Sequence, residues 1–123
     1  MSNTVTLGWP PKELNPNARI HWAKKNGIAQ NYRFACKIIS IEAKITAPSE
    51  TGPIHLWMDF YPPNRRSRDD DNLIAAFKPG RDGLADALGI DDKRFQIHPR
   101  IMSEIGGMVK IRLTATIEEG ATA

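Results

Sequence analysis

Three arginines, Arg65, Arg66 and Arg68, run directly into three aspartates, Asp69, Asp70 and Asp71, and Asp91-Asp92 follow after an amphipathic stretch. Like-charged carboxylates at adjacent positions repel one another, so gathering them needs a compensating interaction. A hard divalent cation such as Mg2+ supplies one, because it takes clustered oxygen ligands. Arginines beside such a cluster suit an anionic substrate, and phosphate is the commonest. The chemistry indicated is metal-assisted attack on a phosphodiester, with water oriented and acidified by one or two ions. Lys78 and Arg81 downstream, and the arginines upstream, are placed to neutralise charge growing on phosphoryl oxygens.

Competing readings of the same residues are bland. An Asp run is most often a solvated loop or a helix N-terminus, and two aspartates from one loop bind Mg2+ poorly without a third ligand from elsewhere. On spacing alone, Asp92 lies past the far end of the intervening helical segment and need not come near the others. An EF-hand is excluded: with Asp69 as the first position, Ile74 stands where glycine is required and Gly80 where glutamate is required. His21, His55 and His98 lack zinc-ligand spacing, and no Walker-type glycine loop supports a nucleotide cofactor.

The elements that must position these residues are read from periodicity. Thr4 to Trp9 alternates as a short strand and stops at Pro10-Pro11, and Lys12 to Trp22 reads as an irregular loop. Ala23 to Ile45 reads as a helix with Gln30, Arg33, Lys37, Ser40 and Lys44 on one exposed stripe and apolar residues elsewhere. Ile54, Leu56, Met58 and Phe60 form the buried face of a second strand. Trp57 and Tyr61 on its polar face imply that a further helix or a second subunit covers it. Leu73, Ile74, Phe77, Leu84 and Leu88 stay in phase across Pro79-Gly80, so a kinked helix or two short helices sharing an axis are expected, with Asp69 to Asn72 at the N-terminal end, Asp70 as the cap if the helix begins at Asp71, and Gly89 as the end. Phe95 to Ile101 and Val109 to Ile117 alternate as two strands, expected to pair as an antiparallel hairpin through Gly106-Gly107, with Pro99 at an edge and Glu119–Ala123 frayed. The fold expected is a single α+β domain over 1–123, with a mixed or antiparallel sheet of about four strands, two main helices and the order β-α-β-α-β-β.

Composition sets outer bounds. The chain has 123 residues, 41% apolar and 25% charged, with a net charge of +3 that permits nucleic-acid binding without demanding it. A single cysteine, Cys36, excludes an internal disulfide and, within an apolar helical pattern, reads as a buried structural thiol. The absence of a signal-peptide layout or a membrane-length apolar run makes a cytoplasmic location the expectation.

The segment RRSRDDDNLIAAFKPGRDGLADALGIDD resembles the RusA family of Holliday-junction resolvases, metal-dependent endonucleases common in phages and prophages. The resemblance rests on the arginine-rich loop, the D-x-D-N-L of Asp69 to Leu73, and the closing Asp91-Asp92. The strand into Trp9-Pro10-Pro11 and the Asn- and Arg/His-bearing loop after it extend it over about Val5 to Ile117. It implies a homodimer that resolves four-way DNA junctions by paired nicks with Mg2+ or Mn2+, in DNA recombination and repair. Asp69, Asp71 and Asp92 match the family's metal ligands, with Asp70 and Asp91 as additional acidic residues and Arg65, Arg66, Arg68 and Arg81 toward DNA. The family's lysine one turn after D-x-D is Ala75 here, and Lys78 is its proposed substitute. The alternative is a protein that binds junctions, or processes flaps and forks, with weak or no resolvase activity.

Overall fold

The computed structural model describes residues 2–117, so the expectation for Glu119–Ala123 lies outside the described residues. Strand β1 (Thr4–Gly8) leads through a short 3-10 turn to helix α1 (Trp22–Glu42). Then come strand β2 (Ile54–Tyr61), helix α2 (Asp70–Leu88), a 3-10 turn at Asp92–Arg94, and strands β3 (Phe95–Ile101) and β4 (Met108–Thr114). This is the expected α+β order, with four strands in one mixed sheet ordered β1-β4-β2-β3.

The C-terminal hairpin does not form. β3 pairs parallel to β2 and β4 pairs antiparallel to both β1 and β2, so β4 lies centrally and β3 at an edge. Burial decides the placement. Val109, Ile111 and Leu113 of β4 are almost wholly enclosed, whereas Phe95, Ile97 and Ile101 of β3 are only partly covered. The edge also tolerates Pro99, which has no N–H to donate to a neighbour. The glycine turn instead crosses the end of β2: the N–H groups of Gly106 and Gly107 donate to the carbonyls of Pro62 and Tyr61. β2, α2 and β3 thus form a crossover unit joining two parallel strands.

Both helices pack against the sheet face built from Leu7, Ile54, Leu56, Met58 and Phe60, with Phe77 of α2 edge-on to both Phe60 and Tyr32. α2 is one continuous helix through Pro79. Its first residue is Asp70, and Asp69 rather than Asp70 is the cap, its carboxylate accepting from the N–H of Asn72 at 3.1 Å. Gly89 closes it in the left-handed conformation, φ 67°.

The exposed face of α1 differs from the one its charges suggest. Ser40 is fully buried and Arg33 and Lys37 are partly covered, while Phe34 is 62% and Ile41 50% exposed. The reason is the crossing with α2, where Gly83 brings the backbones together. A Cβ on Gly83 would lie 2.2 Å from the Arg33 carbonyl oxygen and 3.0 Å from the Lys37 nitrogen. Tyr32 and Cys36 turn inward on the same side, Tyr32 donating its hydroxyl to the Gly8 carbonyl at 2.5 Å. Cys36 is buried, as expected, and burial pushes its thiol up to about 11.

Candidate functional site

The loop between β2 and α2 presents Arg65 and Arg66 to solvent, whereas Arg68 is folded back into it. Its guanidinium donates to the carbonyls of Asn64 and Arg66 and to the Asn64 side-chain oxygen, at 3.1, 2.9 and 2.7 Å. It also lies over the Trp9 ring, 5.5 Å from the centroid. Together with the segment after β1, this loop lines a cleft of about 400 Å³, with Lys12, Arg66, Arg68 and Asp69 among its lining residues. Arg81 stands apart from these arginines: it is half-buried, and its Nε is enclosed without a hydrogen-bond partner among the described residues.

The acidic residues divide between the two ends of α2. Asp69, Asp70 and Asp71 occupy the N-terminal cap and first turn, exposed, where the helix dipole favours negative charge. Asp71, Ala75, Lys78 and Asp82 follow one stripe at four- and three-residue spacing. Asp92, in the 3-10 turn after the helix, docks on that stripe and accepts from the Lys78 ammonium at 2.6 Å. The ammonium also donates to Asp82. Asp91 caps the 3-10 turn through the N–H of Lys93 at 2.9 Å.

Asp92 therefore reaches the same face of α2 as Asp71, which sequence spacing left open, but meets it about two turns away. Seven residues of helix separate Asp71 from Lys78, roughly 10 Å along the axis. Among the described residues, no group of three or more His, Cys, Asp or Glu side chains is gathered closely enough to hold a metal ion. Asp69, Asp71 and Asp92 do not fit a shared Mg2+ as they stand.

Charge pairing accounts for this arrangement. Partial burial pulls the Lys78 ammonium down, but its hydrogen bonds to Asp82 and Asp92 outweigh that and raise its pKa. The hydrogen bond from Lys78 lowers Asp92. Arg33 of α1 joins the network, gripping Asp86 with two donors at 2.7 and 2.9 Å and approaching Asp82 to 3.9 Å. Sequence reading missed Asp82, Asp86 and Arg33 as parts of this network, although the Lys78–Asp82 spacing of four was a visible signal. It also missed Trp9 and Lys12, which reach the arginine loop only through the fold.

On the outer sheet face, no helix among the described residues covers Trp57. Its half-burial comes from its own cross-strand row, in which His98 stacks at 4.1 Å on one neighbouring strand and Arg112 lies 5.6 Å from the ring on the other. His98 shares a 2.8 Å contact between ring nitrogens with His55, and its pKa is lowered by burial and by that neighbour.

Among the described residues, no helix is long and apolar enough to cross a membrane. No protein-family model matches the chain. It is 43% identical over 123 residues to an uncharacterized protein of Xylella fastidiosa (strain Temecula1 / ATCC 700964), an alignment covering 96% of this chain and 80% of the relative.

Proposed function

We propose that this chain, which belongs to the same family as that Xylella fastidiosa protein, acts on branched DNA as a structure-selective endodeoxyribonuclease of RusA type. The observation that carries this reading is a continuous surface. The arginine loop runs into the acidic start of α2, and Asp92 docks on the same helix stripe that displays Asp71 and Lys78. Arg65 and Arg66, exposed on the loop, would grip backbone phosphates and orient the strand. Lys78 would meet a phosphate only by exchanging one of its carboxylate partners for it. The reading calls for Mg2+ or Mn2+ at Asp69, Asp71 and Asp92, and the present separation of these residues does not accommodate the ion. A cytoplasmic homodimer, with one such surface on each subunit, would account for paired nicks across a four-way junction.

The test is incubation of the protein with a synthetic four-way junction, a flap and a duplex, each with Mg2+ or EDTA. Paired nicks in opposing strands of the junction, dependent on Mg2+, are the expected result. Cutting of all three substrates alike, or none, would overturn the resolvase reading.

A second reading, a junction-binding protein without cleavage, is favoured by one specific observation. Asp92 is already neutralised by Lys78, and Ala75 leaves no cation in the turn between Asp71 and Lys78. Tight junction binding with no cut under Mg2+ or Mn2+ would select it.

A further inference from the structure

The cleft between the segment after β1 and the arginine loop sets an aromatic ring among cations. Its volume of about 400 Å³ lies at the small end of ligand-sized clefts, roughly 300–1,000 Å³. That is too small for a base pair within a duplex and large enough for one nucleotide. Its lining combines an indole, Trp9, with Pro11 and Pro63, the cations Lys12, Arg66 and Arg68, and the Asp69 carboxylate.

The three tryptophans are not equivalent. Trp22 is 74% exposed at the start of α1 beside His21. Trp57 is sandwiched within its sheet row, so both faces of its ring are occupied by neighbours. Trp57 also lines a cleft, with Lys110 and Arg112, but Trp9 lines the one beside the arginine loop. Its ring is fixed by an edge-on contact with Phe60, centroids 6.1 Å apart at 87°, and the Arg68 guanidinium lies over it. The guanidinium thus occupies the place on the ring that a base would take, and a base stacks there only by displacing it and its hydrogen bonds to Asn64 and Arg66. Aromatic faces flanked by cations are what unpaired bases stack on, and every base has such a face regardless of sequence.

We infer that this cleft receives one unstacked nucleotide of a single strand, its base laid on Trp9 in exchange for the Arg68 guanidinium and its phosphate held by Lys12 and Arg66. The inference rests on the DNA reading above and narrows its substrate to strands that expose an unpaired nucleotide, as branch points do.

The test is fluorescence anisotropy in EDTA, with a short labelled single strand and a blunt duplex of the same sequence, on wild type, Trp9→Ala, Trp9→Phe and Trp9→Leu. Removal of the ring should weaken single-strand binding about tenfold while changing duplex binding by no more than about twofold, and Trp9→Phe should restore it. Trp9→Leu keeps apolar bulk against Phe60 without a π face. If Trp9→Ala loses its cooperative melt, the leucine variant gives the answer. Single-strand binding equal to wild type in the leucine variant, or an equal loss on both DNAs, would overturn the inference. Because no cutting is read, the two proposals fail separately. Ring-dependent binding without junction cleavage under Mg2+ would remove the nuclease and keep the cleft; cleavage without ring-dependent binding would do the reverse.

Discussion

Lys78 donates to Asp92 at 2.6 Å across the turn that ends α2, and to Asp82 one helical turn along. The ammonium thereby bridges two carboxylates from different elements. Lys78→Ala removes the ammonium from both Asp82 and Asp92, leaving Asp82 only the longer 3.9 Å approach of Arg33. Because the pair is well exposed, the cost to stability is expected to be small, within about 1 kcal/mol. On a nuclease reading, junction cleavage should slow by more than about tenfold, one lost charge-assisted contact to the reacting phosphate. A cleavage assay beside a Gln30→Ala control checks it, and equal slowing in both would discredit a role for Lys78.

The same network predicts how stability responds to acid. Hydrogen bonds from Arg33 and Lys78 hold Asp86 and Asp92 below the ordinary carboxylate value of 3.8. Folding is then favoured above the unfolded carboxylate pKa, and the contribution is lost as pH falls through the lowered native values. Lys78 has the opposite sign. Its raised pKa gives stability below the ordinary lysine value of 10.5 that disappears as pH climbs through the native one. Thermal melts should therefore fall off below about pH 4, and less steeply in Asp86→Asn, whose melting point starts lower at neutral pH. An identical acid slope in that variant would remove Asp86 from the effect.

Periodicity located the elements, and it did so because alternation and helical phase report which side of a segment is apolar. Ile54, Leu56, Met58 and Phe60 are all buried, and the stripe of Leu73, Phe77 and Leu84 runs inward through Pro79 as its phase required. Neighbour choice was not legible. The alternation of Phe95–Ile101 and Val109–Thr114 gives each strand a face but no partner, and β4's greater apolar enclosure placed it between β1 and β2. The facing of α1 was misread for a different reason. Arg33 and Lys37 sit toward α2 because Gly83 accepts their backbone, leaving Phe34 and Ile41 outside. In the candidate site, the shared loop of arginines and aspartates was legible. The pairing of Asp92 with Lys78, and the approach of Trp9 to Arg68, depend on how the helix and the first strand lie in space.

Two glycine substitutions separate close packing from helix propensity. Gly83→Ala places a methyl 2.2 Å from the Arg33 carbonyl oxygen, a contact with backbone that no rotamer relieves. The helices must part, and we expect a loss of about 3 kcal/mol, the upper end for overpacking. A Cβ on Gly27 in α1 would meet nothing within 4 Å, so Gly27→Ala should gain roughly 0.5–1 kcal/mol from helix propensity. Urea unfolding of both variants checks the pair. Similar effects in the two would mean that α1 and α2 do not cross in backbone contact at Gly83.

Asp71 and Arg66 separate chemistry from grip on the DNA. Asp71 is exposed in the first turn of α2, so neutralising it should barely disturb the fold. Asp71→Asn is expected to abolish junction cutting while retaining, or slightly tightening, junction binding, because one negative charge facing phosphate is gone. Arg66→Ala acts in the other direction: it removes a cation from the loop and should lower the slope of log affinity against log salt by about one. Junction-binding isotherms at several salt concentrations, with a parallel cleavage assay, measure both. Unchanged turnover in Asp71→Asn would take Asp71 out of the active centre, and an unaltered salt slope in Arg66→Ala would mean that Arg66 touches no phosphate.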